Sequence, residues 1–110
     1  MLSESEFQKK VSETFKHLEE RVWPLADQYG FEVDTGGGMV TLEFEDPAPS
    51  KFIISPQTPA RQIWMSAMVG SYKFDWDETT NTFVLDKTHE LFLDVISGLL
   101  SRQLHADIHL

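Results

Sequence analysis

Apolar side chains recur at Phe7, Val11, Phe15, Leu18 and Val22, in steps of four, four, three and four, which lines them along one face of an amphipathic helix. Ser3 followed by Glu6 three residues on is a capping-box pattern that starts it, and Glu6, Lys9, Lys10, Glu13, Lys16, His17, Glu19 and Glu20 occupy the other face. The helix is expected to fade near Trp23-Pro24, because a proline disfavours helical geometry in the residue before it, unless Pro24 opens a further turn. The period then drops to two. Phe31 to Asp34 alternates apolar and acidic, Gly36 to Gly38 supplies a tight connection, and Met39 to Glu45 sets Val40, Leu42 and Phe44 against Thr41, Glu43 and Glu45. Further strands are expected at Lys51 to Ser55, Gln62 to Ala67, Tyr72 to Trp76 and Thr82 to Leu85, with Pro56 to Pro59 read as a turn. A second helix should start at Asp86 or Thr88 and bury Leu91, Phe92, Val95, Ile96, Leu99 and Leu100, a stripe interrupted by Gly98, with Leu104 or Ile108 packing behind it. The simplest way to bury two helical stripes is an α+β, two-layer α-β sandwich: an antiparallel sheet of adjacent strands with the N- and C-terminal helices on one face.

Composition narrows the chemistry. A chain of 110 residues is expected to form a single domain, residues 1 to 110. The absence of cysteine removes disulfides, thiolate metal sites and cysteine nucleophiles together. No apolar run approaches the roughly 20 residues of a membrane helix, and the start, Met1-Leu2-Ser3-Glu4, is acidic where a targeting peptide would be basic. The net charge of −9 is uneven: residues 1 to 46 hold 11 of the 18 acids and only 4 of the 9 Lys and Arg. Such a field repels nucleic acid and anionic membrane and draws cations and basic protein surfaces, unless it serves solubility alone.

The stretch Gln57 to Met65, "QTPARQIWM", joins a proline turn to a strand that carries the chain's most conspicuous aromatic. Gln62 and Trp64 share one strand face and Ile63 and Met65 the other, so only one set can be buried. With Gln62 on its side, Trp64 is expected to stand in solvent as an interface anchor beside Arg61, the alternative being a core tryptophan. His105 and His109 have a metal-compatible spacing but no third ligand, and nothing is arranged as Ser-His-Asp.

The strings "QTPARQIWMS" (Gln57 to Ser66), Gly70 and "YKFDW" (Tyr72 to Trp76), with weaker agreement over "GGMVTLEFE" (Gly37 to Glu45) and "SEF" (Ser5 to Phe7), make the chain resemble the frataxin family, the bacterial CyaY-type and mitochondrial frataxins. The resemblance covers nearly the whole chain. It implies the same helix–sheet–helix sandwich, ferrous or ferric iron bound on an acidic ridge, and docking on the cysteine desulfurase and scaffold complex that builds iron–sulfur clusters.

Carried over residue by residue, the resemblance puts the ridge at Glu13, Glu19, Glu20, Asp27, Glu32 and Asp34 and the partner surface at Gln57, Arg61, Gln62 and Trp64. Carboxylate oxygens suit hard cations, and without a cysteine or a tight histidine cluster the iron would be exposed, weakly held and exchangeable. Two departures stand out. Trp23-Pro24-Leu25-Ala26 fills the place where bacterial relatives crowd aspartates, which thins the ridge, and Ser55 stands where the family usually has Asn. The implied role is to regulate, or supply iron for, cluster assembly, as a monomer or an iron-dependent oligomer, in the cytoplasm or, for a processed eukaryotic form, in the mitochondrial matrix. Two readings compete with it: a metal-independent acidic inhibitor module whose carboxylates imitate nucleic acid, and a ferroxidase or iron store.

Overall fold

The computed structural model describes residues 2 to 110. Two helices, α1 (Glu4–Tyr29) and α2 (Phe92–Leu104), bracket six strands: β1 (Glu32–Asp34), β2 (Val40–Phe44), β3 (Ser50–Gln57), β4 (Gln62–Ala67), β5 (Gly70–Asp77) and β6 (Thr82–Leu85). The strands form one sheet in chain order, every neighbouring pair antiparallel, so each turn is a local hairpin connection. Cross-strand partners share a face. One row of partners runs Val33, Leu42 and Phe52, another Ile54 and Met65, another Ile63 and Phe74, and these are packed in a single cluster with the apolar stripes of both helices. We call this the inner face. The two helices cover it through contacts such as Phe7 on Phe83 and Phe92 on Phe74, edge-on at 6.0 and 5.0 Å between ring centres.

The start of α1 follows its capping box. The Ser3 side chain accepts from the Glu6 N–H at 3.2 Å while Glu6 accepts from the Ser3 N–H at 2.9 Å. Three other expectations are corrected. The helix does not stop at Trp23-Pro24 but runs five residues beyond Pro24, because Val22 and Ala26 continue the buried stripe while Pro24 lies on the solvent side, where the carbonyl it leaves unpaired can be hydrated. It ends at Gly30, whose φ of 76° is left-handed and whose N–H reaches the Ala26 carbonyl. Pro56 belongs to β3 and not to a turn: β2 begins at Val40, opposite Ile54, so beyond that point β3 is a local edge that tolerates a missing donor. Finally, α2 starts at Phe92 with Leu91 before it, not at Asp86 or Thr88. Residues 86 to 90 instead close on β6, with Leu85 donating to the Glu90 carbonyl and His89 to the Leu85 carbonyl, both at 2.8 Å, and the Thr88 hydroxyl takes up the Glu90 N–H. Ile108 is buried as expected, and the tail is pinned to α2 by Ser101, which accepts from the Ile108 N–H at 2.9 Å, and Ser97, which accepts from the Leu110 N–H at 3.0 Å. His105 caps α2 in a left-handed conformation at φ 51°, so it does not share a helical turn with His109.

Hydrogen bonds from Ser3, backbone first, hold the Glu6 carboxyl below its ordinary value. A carboxylate with a lowered pKa stabilises the fold above the ordinary carboxylate range and loses that contribution as pH falls through its folded value. Glu6→Gln should therefore lower the melting temperature at pH 7, and the gap to the native chain should close on acidification below that range. Gly98 lies inside α2 with nothing within 4 Å of an added Cβ. Gly98→Ala should stabilise by about 0.5–1 kcal/mol, roughly 2–5 °C in a thermal melt.

Candidate functional site

Alternation along β4 separates its side chains cleanly. Ile63 and Met65 are buried in the inner face, and Trp64, 38% exposed, stands on the opposite, outer face. The expectation of an exposed indole therefore agrees with its position. Its orientation is set by neighbours on that face. The Trp64 indole N–H donates to Gln62 Oε1 at 2.9 Å, the Gln62 amide donates in turn to Asp75 Oδ1 at 3.0 Å, and the Lys73 ammonium lies 4.7 Å above the ring. A cation over an aromatic face is attracted by the ring quadrupole, and the chain of hydrogen bonds restricts the ring's rotamers. Ser55 pairs with Trp64 across the β3–β4 register, and Gln57 pairs with Gln62 and donates to Ser55 Oγ at 3.5 Å. A cleft of about 210 Å³ opens beside the indole, between Ile53, Ser66 and Ser71.

Of the four residues expected to meet a partner, Gln57, Gln62 and Trp64 share this face. Arg61 is occupied otherwise. It sits at φ 53° just before β4, and its guanidinium donates to the Leu2 carbonyl at 3.1 Å and to the Thr58 carbonyl, tying the start of the chain to the Thr58–Ala60 turn. Lys73, Asp75 and Ile53 are residues that sequence reasoning passed over. The alternation of Tyr72 to Trp76 put Lys73 and Asp75 on one face, but only the register of β5 against β4 sets them beside Trp64 and Gln62.

The six acids expected to form the ridge fall in three settings. At about 100° per residue, Glu13, Glu20 and Asp27 make one stripe on the side of α1 turned away from the sheet, each about 10.5 Å from the next. Glu19 flanks that stripe and lines a groove of about 410 Å³ with Gln8, Ser12, Thr35 and Met39. Glu32 and Asp34 point from the edge strand β1 to the outer face, the same side as Trp64. Directly across from Glu32 is Glu43, an acid that the sequence reading treated as a plain strand residue, and Glu43 has Lys51 at 4.0 Å. Two carboxylates opposed across a strand pair repel each other, and an exposed lysine relieves this by little. A bound cation would relieve it further. Among the described residues no three His, Asp or Glu side chains converge closely enough to enclose a metal. What the arrangement offers is one- or two-carboxylate contact to a hydrated cation on an open surface, and hard oxygen donors fit such an ion. Asp77 serves the β5–β6 turn instead: bonds from the Thr80 hydroxyl, and then the Thr79 N–H, lower its pKa.

If Trp64 is a surface anchor, its removal should hardly touch the fold. Trp64→Ala should lower unfolding stability by less than about 1.5 kcal/mol, whereas Met65→Ala, one residue along and buried, should lose about 2–5 kcal/mol in denaturant titrations.

Residues 1–106 match the family model described as a frataxin-like domain. The chain is 34% identical over 107 residues to the mitochondrial frataxin of Arabidopsis thaliana, covering 90% of this chain and 56% of that protein. It is 33% identical over 109 residues to the iron-sulfur cluster assembly protein CyaY of Pseudomonas fluorescens, covering 97% and 94%. Its backbone superposes on the frataxin of Psychromonas ingrahamii with a TM-score of 0.81 at 24% identity, over 98% of this chain and 97% of that one. A trimeric frataxin from Saccharomyces cerevisiae, solved in a ferrous complex, gives 0.73 at 19% identity over 87% and 86%. At those identities the two solved structures speak to the fold alone.

Proposed function

The chain belongs to the frataxin-like family, and from that premise we propose that it serves iron–sulfur cluster assembly as an iron-binding protein that docks on the cysteine desulfurase and its scaffold, regulating the reaction or supplying its iron. The observation that supports this most directly is on the outer face of the sheet. Trp64 on β4 and the acids Glu32, Asp34 and Glu43 on β1 and β2 look the same way. Three strand spacings separate β1 from β4, about 14 Å, so one partner of ordinary footprint can cover both.

The division of labour follows from the chemistry. The indole, held by Gln62 and Lys73, is an amphipathic anchor whose rotamers are restricted before contact. The carboxylates of β1 and β2 and the Glu13, Glu20 and Asp27 stripe give a negative field that steers a basic partner and concentrates ferrous or ferric ions. Iron is cargo here: with so few carboxylates for each ion it is held weakly and passed on. The same reading assigns the protein to the compartment where clusters are built, the cytoplasm of a bacterium or the mitochondrial matrix.

Anaerobic Fe(II) titration should broaden the amide signals of Glu19, Glu20, Glu32 and Asp34 first. Against a desulfurase and scaffold complex, Trp64→Ala should weaken binding by about 30-fold, the size of an interface hot spot of about 2 kcal/mol. Glu32→Lys with Asp34→Lys should slow association, and most at low salt. Binding that ignores chelator, together with silent acidic amides, would mark a metal-independent module and end the iron assignment.

A further inference from the structure

Trp64, Gln62 and Asp75 form a relay of side chains on the outer face, and only one of the three fixes its direction. The Trp64 indole is held twice: by Lys73, whose ammonium lies 4.7 Å from the ring centre, and by Gln62, whose Oε1 accepts the indole N–H at 2.9 Å. A cation over the ring is drawn to the π face and does not distinguish one edge of the indole from the other. A half-turn of the ring would keep its plane beneath Lys73 and carry the N–H away from Gln62. The bond to Gln62 therefore decides which edge meets a partner. Gln62 is itself two-sided, because its amide has an acceptor at one end and a donor of nearly the same shape at the other, and a flip exchanges them. Presented with Nε2 first, it would set donor against donor and release the ring.

Asp75 chooses between the two ends. The β4–β5 register sets it directly across from Gln62, and its Oδ1 accepts from Gln62 Nε2 at 3.0 Å. A carboxylate offers acceptors only, so it draws the NH2 end and turns Oε1 toward the indole. Neighbouring groups do not compete for that bond. Asp75 is half-buried and forms no ion pair among the described residues, and its cross-strand neighbour on β6, Val84, is apolar and buried. On the other flank, Gln57 pairs with Gln62 across β3 and β4, but its amide donates to Ser55 instead.

From this geometry we infer that Asp75 is a positioning residue of the docking surface: without touching the indole, it sets the direction of the Gln62 amide and, through it, the edge that Trp64 presents to a partner. The inference rests on the docking role proposed above for Trp64. A partner that covers the outer face takes water from these groups, so a relay left unmade costs more in the complex than in the free chain. Asp75 thus acts most strongly where affinity is decided.

Asp75→Lys replaces an acceptor by a donor and should reverse the Gln62 amide. In the free protein the Trp64 indole proton–nitrogen cross-peak, identified by its loss in Trp64→Phe, should shift and exchange with water several-fold faster. Asp75→Asn, which can present either kind of group, should lie between the native chain and Asp75→Lys. Gln62→Glu alone should also disturb the signal, because two carboxylates then face each other across the hairpin. In the Asp75→Lys background the same Gln62→Glu change should restore it, since the acceptor then stands at position 62 and the donor at position 75. Against the desulfurase and scaffold complex, Asp75→Lys should weaken binding about fivefold more in the native background than beside Trp64→Ala, where only its change of charge is left to act. An unchanged indole signal in Asp75→Lys, no restoration by Gln62→Glu, or the same loss of affinity with tryptophan or alanine at position 64 would each overturn the assignment. If Asp75→Lys fails to fold, Asp75→Leu removes the acceptor without adding a charge and is read on the same cross-peak. The indole readout needs neither partner nor iron. A complex indifferent to Trp64→Ala would therefore end the docking reading, while the relay is judged on the free chain.

Discussion

A six-stranded sheet with helices on one side can keep only that side dry. Val40, Leu42, Phe44, Phe52, Ile54, Ile63, Met65 and Phe74 all project to it, and the helices α1 and α2 bring Phe7, Leu18, Phe92 and Ile96 down onto them. This period of two ties every buried residue to an outward neighbour. Slipping the register of β4 by one residue would expose Ile63 and Met65 and bury Gln62 and Trp64, which is why the outward set is held as firmly as the core. The surface that carries Trp64 is thus a by-product of core packing, and its side chains inherit the core's precision.

Much of this was legible in the chain. The helical stripe from Phe7 to Val22, the alternation of Gln62 to Ala67 and the helix–strands–helix order all rest on periodicity, which a linear sequence records directly. The exposure of Trp64 was legible for the same reason. What escaped were contacts set by pairing or by tertiary context. Pro24 reads as a stop signal, yet a buried stripe extending to Ala26 outweighs the roughly 3 kcal/mol that a proline costs a helix interior. Asp86 and Thr88 read as helix caps, yet the segment that holds them covers the edge of β6 first. The place of Lys73 over Trp64, and of Glu43 against Glu32, depends on which residue faces which across a hairpin. Nothing local encodes that.

The ridge shows the same limit in another form. Sequence spacing sets Glu13, Glu20 and Asp27 on one line of α1, and Glu32 and Asp34 on one side of β1, but says nothing about the relation between the two sets. In the fold the line on α1 looks away from the sheet while the β1 acids look out from its far side, and the chain passes between them through Gly30 and Phe31. The negative charge is therefore wrapped around an edge and presents two fields in different directions. A partner on the outer face feels chiefly the carboxylates of β1 and β2, and the helical acids remain open to solvent and to ions.

Gln103 is one of few buried polar side chains, and its amide reaches across to the Ala48 carbonyl at 2.8 Å, fastening the last turn of α2 to the loop between β2 and β3. Together with Ser97 and Ser101 holding the tail, that bond braces the helical layer at the end remote from the capping box of α1. The consequence is mechanical: the last turn of α2 cannot swing away from the β2–β3 loop without leaving the buried Gln103 amide and the Ala48 carbonyl without each other.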